Sequence, residues 1–461
     1  MTPEYDLIVI GAGPGGYEAA LKAADRGMRT ALIEKDKLGG TCLNSGCIPT
    51  KTIMHITGQY RELLKAGESG LCAENVSLDM KAVQSKKEAV CEELRGGIAQ
   101  LLKKGKVDVY KGTGKILDRG KVRVQTADAE QVLVCGSIII ATGSAPSRLP
   151  VPGADLPGIM DSTALLNCDK LFEHLIIVGG GVIGMEFASV YTDLGRQVTV
   201  LEAMDRILPG MDKELGQNLK LILKKRGADI HTGAFLKSVE QAPDGSYICS
   251  YEEKGKMQQV QGDGCLIAVG RRADAGSVLA EDCSGQVREM NISRGTVCVD
   301  SHYQSSVPGI YAIGDVSGGI QLAHAASAAA VNCVAYIAGE GPVFAADVIP
   351  SCVYTSPEIA SVGISADDAK KQKLDADTKK YPMSANGKSV LTGQDRGFIK
   401  ITADNQTGRI LGAQLMCANA TDMICFFTAA IANGLTTEQL SKTVFAHPTF
   451  SEGIGEALRL F

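Results

Sequence analysis

The chain has 461 residues and a net charge of −5, from 47 basic and 52 acidic side chains. At ~150 residues per domain that length supports about three domains, and 45% hydrophobic with 21% charged residues excludes disorder as the main state. The acidic balance argues against a nucleic-acid or anionic-membrane partner.

The opening residues, Met1-Thr2-Pro3-Glu4-Tyr5-Asp6, lack the basic start and apolar core of a signal peptide. No run reaches the ~18–20 apolar residues that span a bilayer; residues 323–338 come nearest, but are mostly alanine and contain His324, Ser327 and Asn332. Twelve of the 14 cysteines are scattered singly, as small buried hydrophobes of a reducing compartment are. A cytoplasmic location is therefore expected. No metal-ligand spacing occurs, so no metal site is expected.

Residues 5–10 read as a strand, Gly11-Ala12-Gly13-Pro14-Gly15-Gly16 as a turn, and a helical pattern follows to Gly27. A second apolar run, 30–33, ends at Glu34. Residues 79–104 are helical with one charged face; 107–110, 122–126 and 132–134 are short strands; 137–143 is a buried strand ending in the turn Thr142-Gly143. Residues 144–157 hold four prolines and read as a linker. The opening pattern then recurs: strand 174–178, turn Gly179-Gly180-Gly181-Val182-Ile183-Gly184, a helix to Leu194, and strand 198–201 ending at Glu202. A buried strand at 266–270, a strand ending in Gly314-Asp315 and a small-residue helix from Leu322 come next. From Val348 the pattern changes to strands at 397–402 and 410–416 and helices at 421–432 and 451–460, a third, α+β domain.

Gly11 and Glu34, and Gly179 and Glu202, are each 23 positions apart. One G-x-G-x-x-G is weak. Two, each between a strand and a helix with an acid at the next strand end, predict two dinucleotide-binding units over the alternative of helix-packing glycines. The first glycine of each permits the tight turn. The second lets a pyrophosphate approach a helix N-terminus, where free N–H groups and the dipole favour anions. The acid accepts from ribose hydroxyls. Glu202 would repel a 2′-phosphate and so favours NAD over NADP, with Arg206 as the countervailing charge.

Gly39-Gly40-Thr41-Cys42-Leu43-Asn44-Ser45-Gly46-Cys47-Ile48-Pro49-Thr50-Lys51 follows Glu34 closely. On an ideal helix Cα atoms at i and i+5 are about 8.6 Å apart, whereas a disulfide needs less than about 7 Å. Cys42 and Cys47 close only if the segment leaves regular helix, which Asn44, Ser45 and Gly46 allow. Pro49 suits the first turn of a following helix, whose N-terminus, with Lys51, would lower a cysteine pKa. Two buried cysteines among fourteen is the bland alternative.

Of six histidines, His55, His174, His231 and His302 show no partner pattern. His447 stands in Ala446-His447-Pro448-Thr449-Phe450-Ser451-Glu452. Pro448 holds it extended, and Ser451 is placed to cap the last helix with Glu452 in its first turn. On these residues alone, a satisfied structural histidine remains the simpler reading.

The run from Gly39 to Lys51 resembles the active-site signature of the flavin-dependent disulfide reductases, the class I pyridine nucleotide-disulfide oxidoreductases. The likeness covers nearly the whole chain and is greatest to members that oxidise dihydrolipoamide. It implies an α/β fold: two Rossmann-like dinucleotide-binding domains plus a C-terminal α+β dimerisation domain. The boundaries would be 1–150 and 273–346 for FAD, 151–272 for NAD and 347–461 for the interface. By resemblance Gly11, Gly13, Gly16, Glu34, Thr142, Gly143, Gly314, Asp315 and Ala323 belong to the FAD site. Gly179, Gly181, Gly184, Glu202 and Gly270 belong to the NAD site. Cys42 is the interchange thiol, Cys47 lies against the flavin, and Lys51 sits near the flavin N5, paired with Glu186. Read alone, Glu186 is an ordinary helix surface residue. His447 and Glu452 match the family's acid–base pair, which in the family's homodimers reaches the second subunit's cysteines.

The resemblance further implies a lipoyl-bearing protein as partner, from a 2-oxoacid dehydrogenase or glycine cleavage system, since no lipoyl domain is fused to the N-terminus. Glutathione-type and mercuric-type reductases are the alternatives, and a docking subunit is a third. The NADP-using members carry arginines where Ala203 and Pro209 stand here. No cysteine follows Cys425, unlike members with a C-terminal thiol pair. Ala273-Asp274 replaces the usual Pro-Asn, and residues 323–330 are richer in alanine than the common form.

Overall fold

The computed structural model describes residues 3–394 and 396–461. They divide into two compact units. The first comprises Met1–Thr52, Met80–Ser147 and Gly270–Ala346; the second comprises Ile53–Asp79, Arg148–Val269 and Asp347–Phe461.

The first unit is built on a sheet whose parallel strands run in the order Asp108–Lys111, Thr30–Glu34, Tyr5–Ile10 and Glu130–Ile140, with Ile310–Ala312 also on the last. Alternate residues of these strands enter different cores. Leu7, Val9, Leu32 and Ile139 pack on one side; Ile8, Ile10, Ile33, Ile138 and Ile140 pack on the other. Both faces are covered, which explains the unbroken apolar runs in the sequence. Each fully buried side chain of this size contributes about 1.5–3 kcal/mol.

Residues 132–134 and 137–143, which read as two strands, are parts of one. Glu130–Ile140 pairs antiparallel with Lys121–Gln125 over its first half and parallel with Tyr5–Ile10 over its second. Gly136, whose added Cβ would lie 3.0 Å from the Asp6 carbonyl oxygen, interrupts the pattern without ending the strand. Thr113–Asp118 completes the antiparallel part and had no clear alternation in the sequence.

The second unit holds a five-stranded parallel sheet in the order Ala228–Thr232, Gln197–Glu202, His174–Val178, Gly264–Ile267 and Ile159–Met160. The strand expected at 266–270 is thus shifted to Gly264–Ile267. A three-stranded antiparallel sheet of Ala234–Gln241, Tyr247–Glu253 and Lys256–Gly262 accompanies it. The C-terminal part is a five-stranded antiparallel sheet in the order Ser351–Val353, Glu358–Gly363, Ile410–Cys417, Phe398–Asp404 and Ala376–Pro382. Ala420–Ala432 and Glu452–Leu458 pack on it through Ile424, Phe427, Ile454 and Leu458.

Lys400 is a buried cation in this unit. Its Nζ donates to both Asp212 oxygens at 2.9 and 3.0 Å and to Glu214 at 3.0 Å. Such a charge is tolerated inside a protein only when paired this fully. Among the described residues no helix is long and apolar enough to cross a membrane, and no group of three or more His, Cys, Asp or Glu side chains is arranged to hold a metal ion.

Candidate active site

The two glycine turns have the same construction. In each unit the central strand is flanked by the next strand in sequence and by one that arrives after a crossover, so each turn sits at a switch point of its sheet. Gly11 has φ +102° and Gly179 φ +114°, and a Cβ on either would lie 2.4 Å from a backbone oxygen, of Ala141 or Ala268. Gly16 and Gly184 cross the turn so closely that a Cβ would lie 1.8 and 2.0 Å from the carbonyl oxygens of Gly11 and Gly179. Gly13 and Gly181 face open space and are the N-caps of Pro14–Asp25 and Val182–Asp193, with no side chain capping either helix. Two helix N-termini with free N–H groups beside an open cradle fit dinucleotide pyrophosphates.

The strand-end acids have a second task. Glu34 accepts from Ala12 N at 2.7 Å and Asp36 N at 2.9 Å. Glu202 accepts from Gly180 N at 2.5 Å and Met204 N at 2.7 Å. Each carboxylate thus holds its own turn while keeping lone pairs for a ribose. Arg206, the countervailing charge near Glu202, donates to the Pro209 carbonyl at 3.0 Å.

The cysteine segment is docked on the first turn. Gly39 N donates to Ala12 O at 2.8 Å. A Cβ on Gly40 would lie 2.6 Å from Gly13 Cα. Cys42 lies on the short helix Gly40–Ser45. The chain leaves helical geometry at Gly46 (φ −146°, ψ −110°), and Cys47 begins Cys47–Leu64. This is the departure from regular helix that closing the pair requires.

The Cys42 thiol is in side-chain hydrogen-bond contact with Cys47. The Cys42 pKa is pushed far up, first by that hydrogen bond and then by burial; the charge of Lys51 pulls it down and is outweighed. The expected lowering therefore does not apply to Cys42.

Around this segment lies a cluster that no local pattern announced. Ser144, next to Thr142 and Gly143, donates to Asp315 Oδ2 at 2.5 Å. Arg271 donates to Ser144 Oγ at 2.9 Å, to Ser144 O at 2.6 Å and to Thr41 Oγ1 at 3.3 Å. The short pairing of Ala145–Pro146 with Arg271–Arg272 brings these residues together, and Gly270 O accepts from Ser147 N at 3.0 Å. Asp315 lies in the first turn of a 3₁₀ segment, Gly314–Ser317. Ala323 begins the helix Ala323–Ile337. The Gly-Arg-Arg run just past a buried strand was the one signal that could have pointed to Arg271.

The remaining site residues lie in the second unit. Glu186 is not a surface residue: it is 3% exposed, on a helix whose residues from Gly184 to Asp193 are all buried. Its Oε1 accepts from Tyr354 N at 3.1 Å. His447 is exposed and its Nδ1 lies 2.8 Å from Glu452 Oε1. The other Glu452 oxygen accepts from Thr449 N at 2.8 Å. That N–H, followed by His447, holds the Glu452 carboxyl below the usual carboxylate range.

Ser451 occupies the N-cap position, yet its side chain makes no cap bond and pairs with Thr449 Oγ1 at 3.0 Å instead. His231, expected to be unpartnered, sits between Glu253 at 2.9 Å and Asp229 at 2.8 Å. His174 contacts Thr199 at 2.9 Å.

Comparison with known proteins agrees with this geometry. Residues 5–330 match the pyridine nucleotide-disulphide oxidoreductase family, and residues 349–458 match its dimerisation domain. The chain is 39% identical to a dihydrolipoyl dehydrogenase of Bacillus subtilis (strain 168), over 99% of this chain and 98% of the relative. It is 38% identical to a dihydrolipoyl dehydrogenase of Geobacillus stearothermophilus, over 98% and 95%. Among solved structures it resembles LpdA of Mycobacterium tuberculosis with a TM-score of 0.91 at 28% identity, covering 98% and 99% of the two chains. It resembles the HOCl-induced flavoprotein disulfide reductase RclA of Escherichia coli, solved as a Cu(II) complex, with a TM-score of 0.87 at 30% identity over 100% of both. Two nucleotide turns, a thiol pair seated on the first of them and a match that runs nearly the length of the molecule lead to one assignment: the chain belongs to the pyridine nucleotide-disulphide oxidoreductase family and carries that family's dimerisation domain.

Proposed function

We propose that this chain is a dihydrolipoamide dehydrogenase, which reoxidises dihydrolipoyl groups with NAD through the Cys42–Cys47 pair and FAD. The observation that carries the reading is the docking of the cysteine helix on the first glycine turn, through Gly39 N to Ala12 O and the contact of Gly40 with Gly13.

FAD is held by Gly11, Gly13, Gly16, Glu34, Thr142, Gly143, Gly314, Asp315 and Ala323, and NAD by Gly179, Gly181, Gly184, Glu202 and Gly270. FAD, when bound, supplies a two-electron link between the thiol pair and NAD. The flavin-binding part then comprises 1–150 and 273–346, the NAD part 151–272 and the dimerisation part 347–461. Lys51 and Glu186 act as a pair beside the flavin, with Lys51 stabilising negative charge there.

The thiol chemistry belongs to the chain itself. His447, supplied by the second copy of a homodimer and oriented by Glu452, takes a proton from one substrate thiol. The resulting thiolate attacks Cys42 Sγ; the Cys42–Cys47 bond breaks and Cys47 leaves as thiolate. The second substrate thiol, losing its proton, attacks the sulfur bound to Cys42. The cyclic substrate disulfide leaves, and Cys42 takes up a proton. The raised Cys42 pKa suits that last role. The substrate arm is a lipoyl group on another protein, and a reducing, cytoplasmic setting suits a chain of 14 cysteines, twelve of them scattered singly.

Steady-state assay of dihydrolipoamide with NAD and with NADP, and of glutathione disulfide with either reduced nucleotide, tests the assignment. NAD-dependent dihydrolipoamide oxidation is expected to dominate. Preference for NADP or for glutathione disulfide overturns it.

Gly184→Ala separates the two nucleotide sites. A methyl 2.0 Å from the Gly179 carbonyl forces the helix off its turn. NAD binding is expected to weaken tenfold or more, about 1.4 kcal/mol, with flavin content unchanged. Titration of NAD against the purified flavoprotein, with absorbance for the flavin, measures both.

A further inference from the structure

We infer that Arg95, on the helix Met80–Lys104, is a positioning residue that sets the thiol–disulfide equilibrium of Cys42 and Cys47 by locking Asn44 between them; the inference rests on the proposed role of that pair. Arg95 Nη1 donates to Asn44 Oδ1 at 2.8 Å. Asn44 Nδ2 in turn donates to Leu38 O and Gly40 O, each at 2.9 Å. Both amide hydrogens and the amide oxygen are therefore engaged in one orientation. Its NH₂ ties the loop before Cys42 to the first turn of the cysteine helix, and its oxygen is held by a cation that cannot lose its proton.

Arg95 is itself fixed. Its Nη2 donates to Glu88 at 2.6 Å and also to Glu92, and its Nε donates to Glu92 at 3.0 Å. The guanidinium side chain is only 11% exposed, while both acids face solvent. This three-point hold is far from the glycine turns in sequence and is used by no step of the thiol chemistry.

Its position gives it a role. Cys42 and Cys47 at helical spacing lie too far apart to bond, so the bend at Gly46 must be maintained in the dithiol as well as the disulfide. Ordering the segment in advance lowers the entropy lost on closure and favours the S–S bond. On closure the two S–H groups lose two protons and two electrons. Oxidised dithiothreitol accepts them, its own S–S bond breaking to give two S–H groups. With the clamp removed, closure orders a looser segment and the balance moves toward the dithiol.

The test uses the purified flavoprotein equilibrated with mixtures of oxidised and reduced dithiothreitol, acid-quenched, alkylated and weighed by mass spectrometry. Arg95→Met and Asn44→Ala are each expected to lower the disulfide equilibrium constant about tenfold, about 30 mV for a two-electron couple. The double variant is expected to go no lower than either single. Singles that leave the constant unmoved, or effects that add in the double, overturn the inference, because additivity means Arg95 does not act through Asn44. Failure of the unaltered chain to form a Cys42–Cys47 disulfide in any mixture would instead sink the functional reading, so the two failures are distinct. If Asn44→Ala does not fold, Arg95→Met alone with its constant unchanged suffices to refute the clamp.

Discussion

Cys42→Ser is expected to abolish dihydrolipoamide oxidation, by roughly 10⁴-fold or more, because losing a residue on which all later steps depend costs nearly the whole chemical advantage. Serine keeps the shape of the side chain but forms no disulfide, so the substrate thiolate has no sulfur to attack. The nucleotide turns stay intact. Gly39 and Gly40, which dock the segment on the first turn, precede the substitution, and the bend at Gly46 follows it. Purified Cys42→Ser should therefore remain yellow, with flavin absorbance near one equivalent per chain. Turnover within tenfold of the unaltered chain would remove the thiol pair from the mechanism. A colourless protein would place Cys42 among the residues that hold the flavin.

His447→Gln should lower kcat/KM for dihydrolipoamide by 10²–10⁴, the span of general acid–base catalysis. The surrounding loop tolerates the change, because Glu452 keeps its bond to Thr449 N. The Glu452 carboxyl is held below the usual carboxylate range, so it is ionised throughout the pH interval in which imidazole titrates. The sign follows. A general base is lost as pH drops, so kcat/KM of the unaltered chain should show an acid limb that the glutamine variant lacks. A pH profile measured on both proteins decides it. A variant that is slower but keeps the same acid limb would mean that another base does the work.

The sequence made the two nucleotide turns legible because their requirement is steric and local. A Cβ at Gly16 or Gly184 collides with its own turn, so glycine must stand there wherever the fold occurs. The thiol pair and the His447–Glu452 pair are readable for a similar reason, both members lying within five residues of each other. What stayed hidden depends on distant chain. Arg271 meets Ser144 across 127 residues, and Ser144 meets Asp315 across 171. Glu186 carries no mark of burial in its local sequence, although every residue of its helix from Gly184 to Asp193 is buried. The continuity of Glu130–Ile140 was masked by Gly136, a residue demanded by the neighbouring Asp6 backbone rather than by a strand end. The upward shift of Cys42 was not legible either, because it comes first from the hydrogen bond with the Cys47 side chain and then from burial, which outweigh the charge of Lys51.

The double duty of Glu202 bears on how this scaffold could be re-engineered or diverge. Its carboxylate satisfies two backbone donors, Gly180 N and Met204 N, besides standing where a ribose would be met. A substitution that removes the negative charge to welcome a phosphorylated nucleotide also strips the buried Gly180 amide of its acceptor, at about 1–3 kcal/mol if left unsatisfied, and frees the Met204 amide. Coenzyme preference is therefore wired into the loop's own cohesion. Converting it calls for a coordinated rewrite of residues 202–206, in which a new acceptor for those amides arrives together with the new cation.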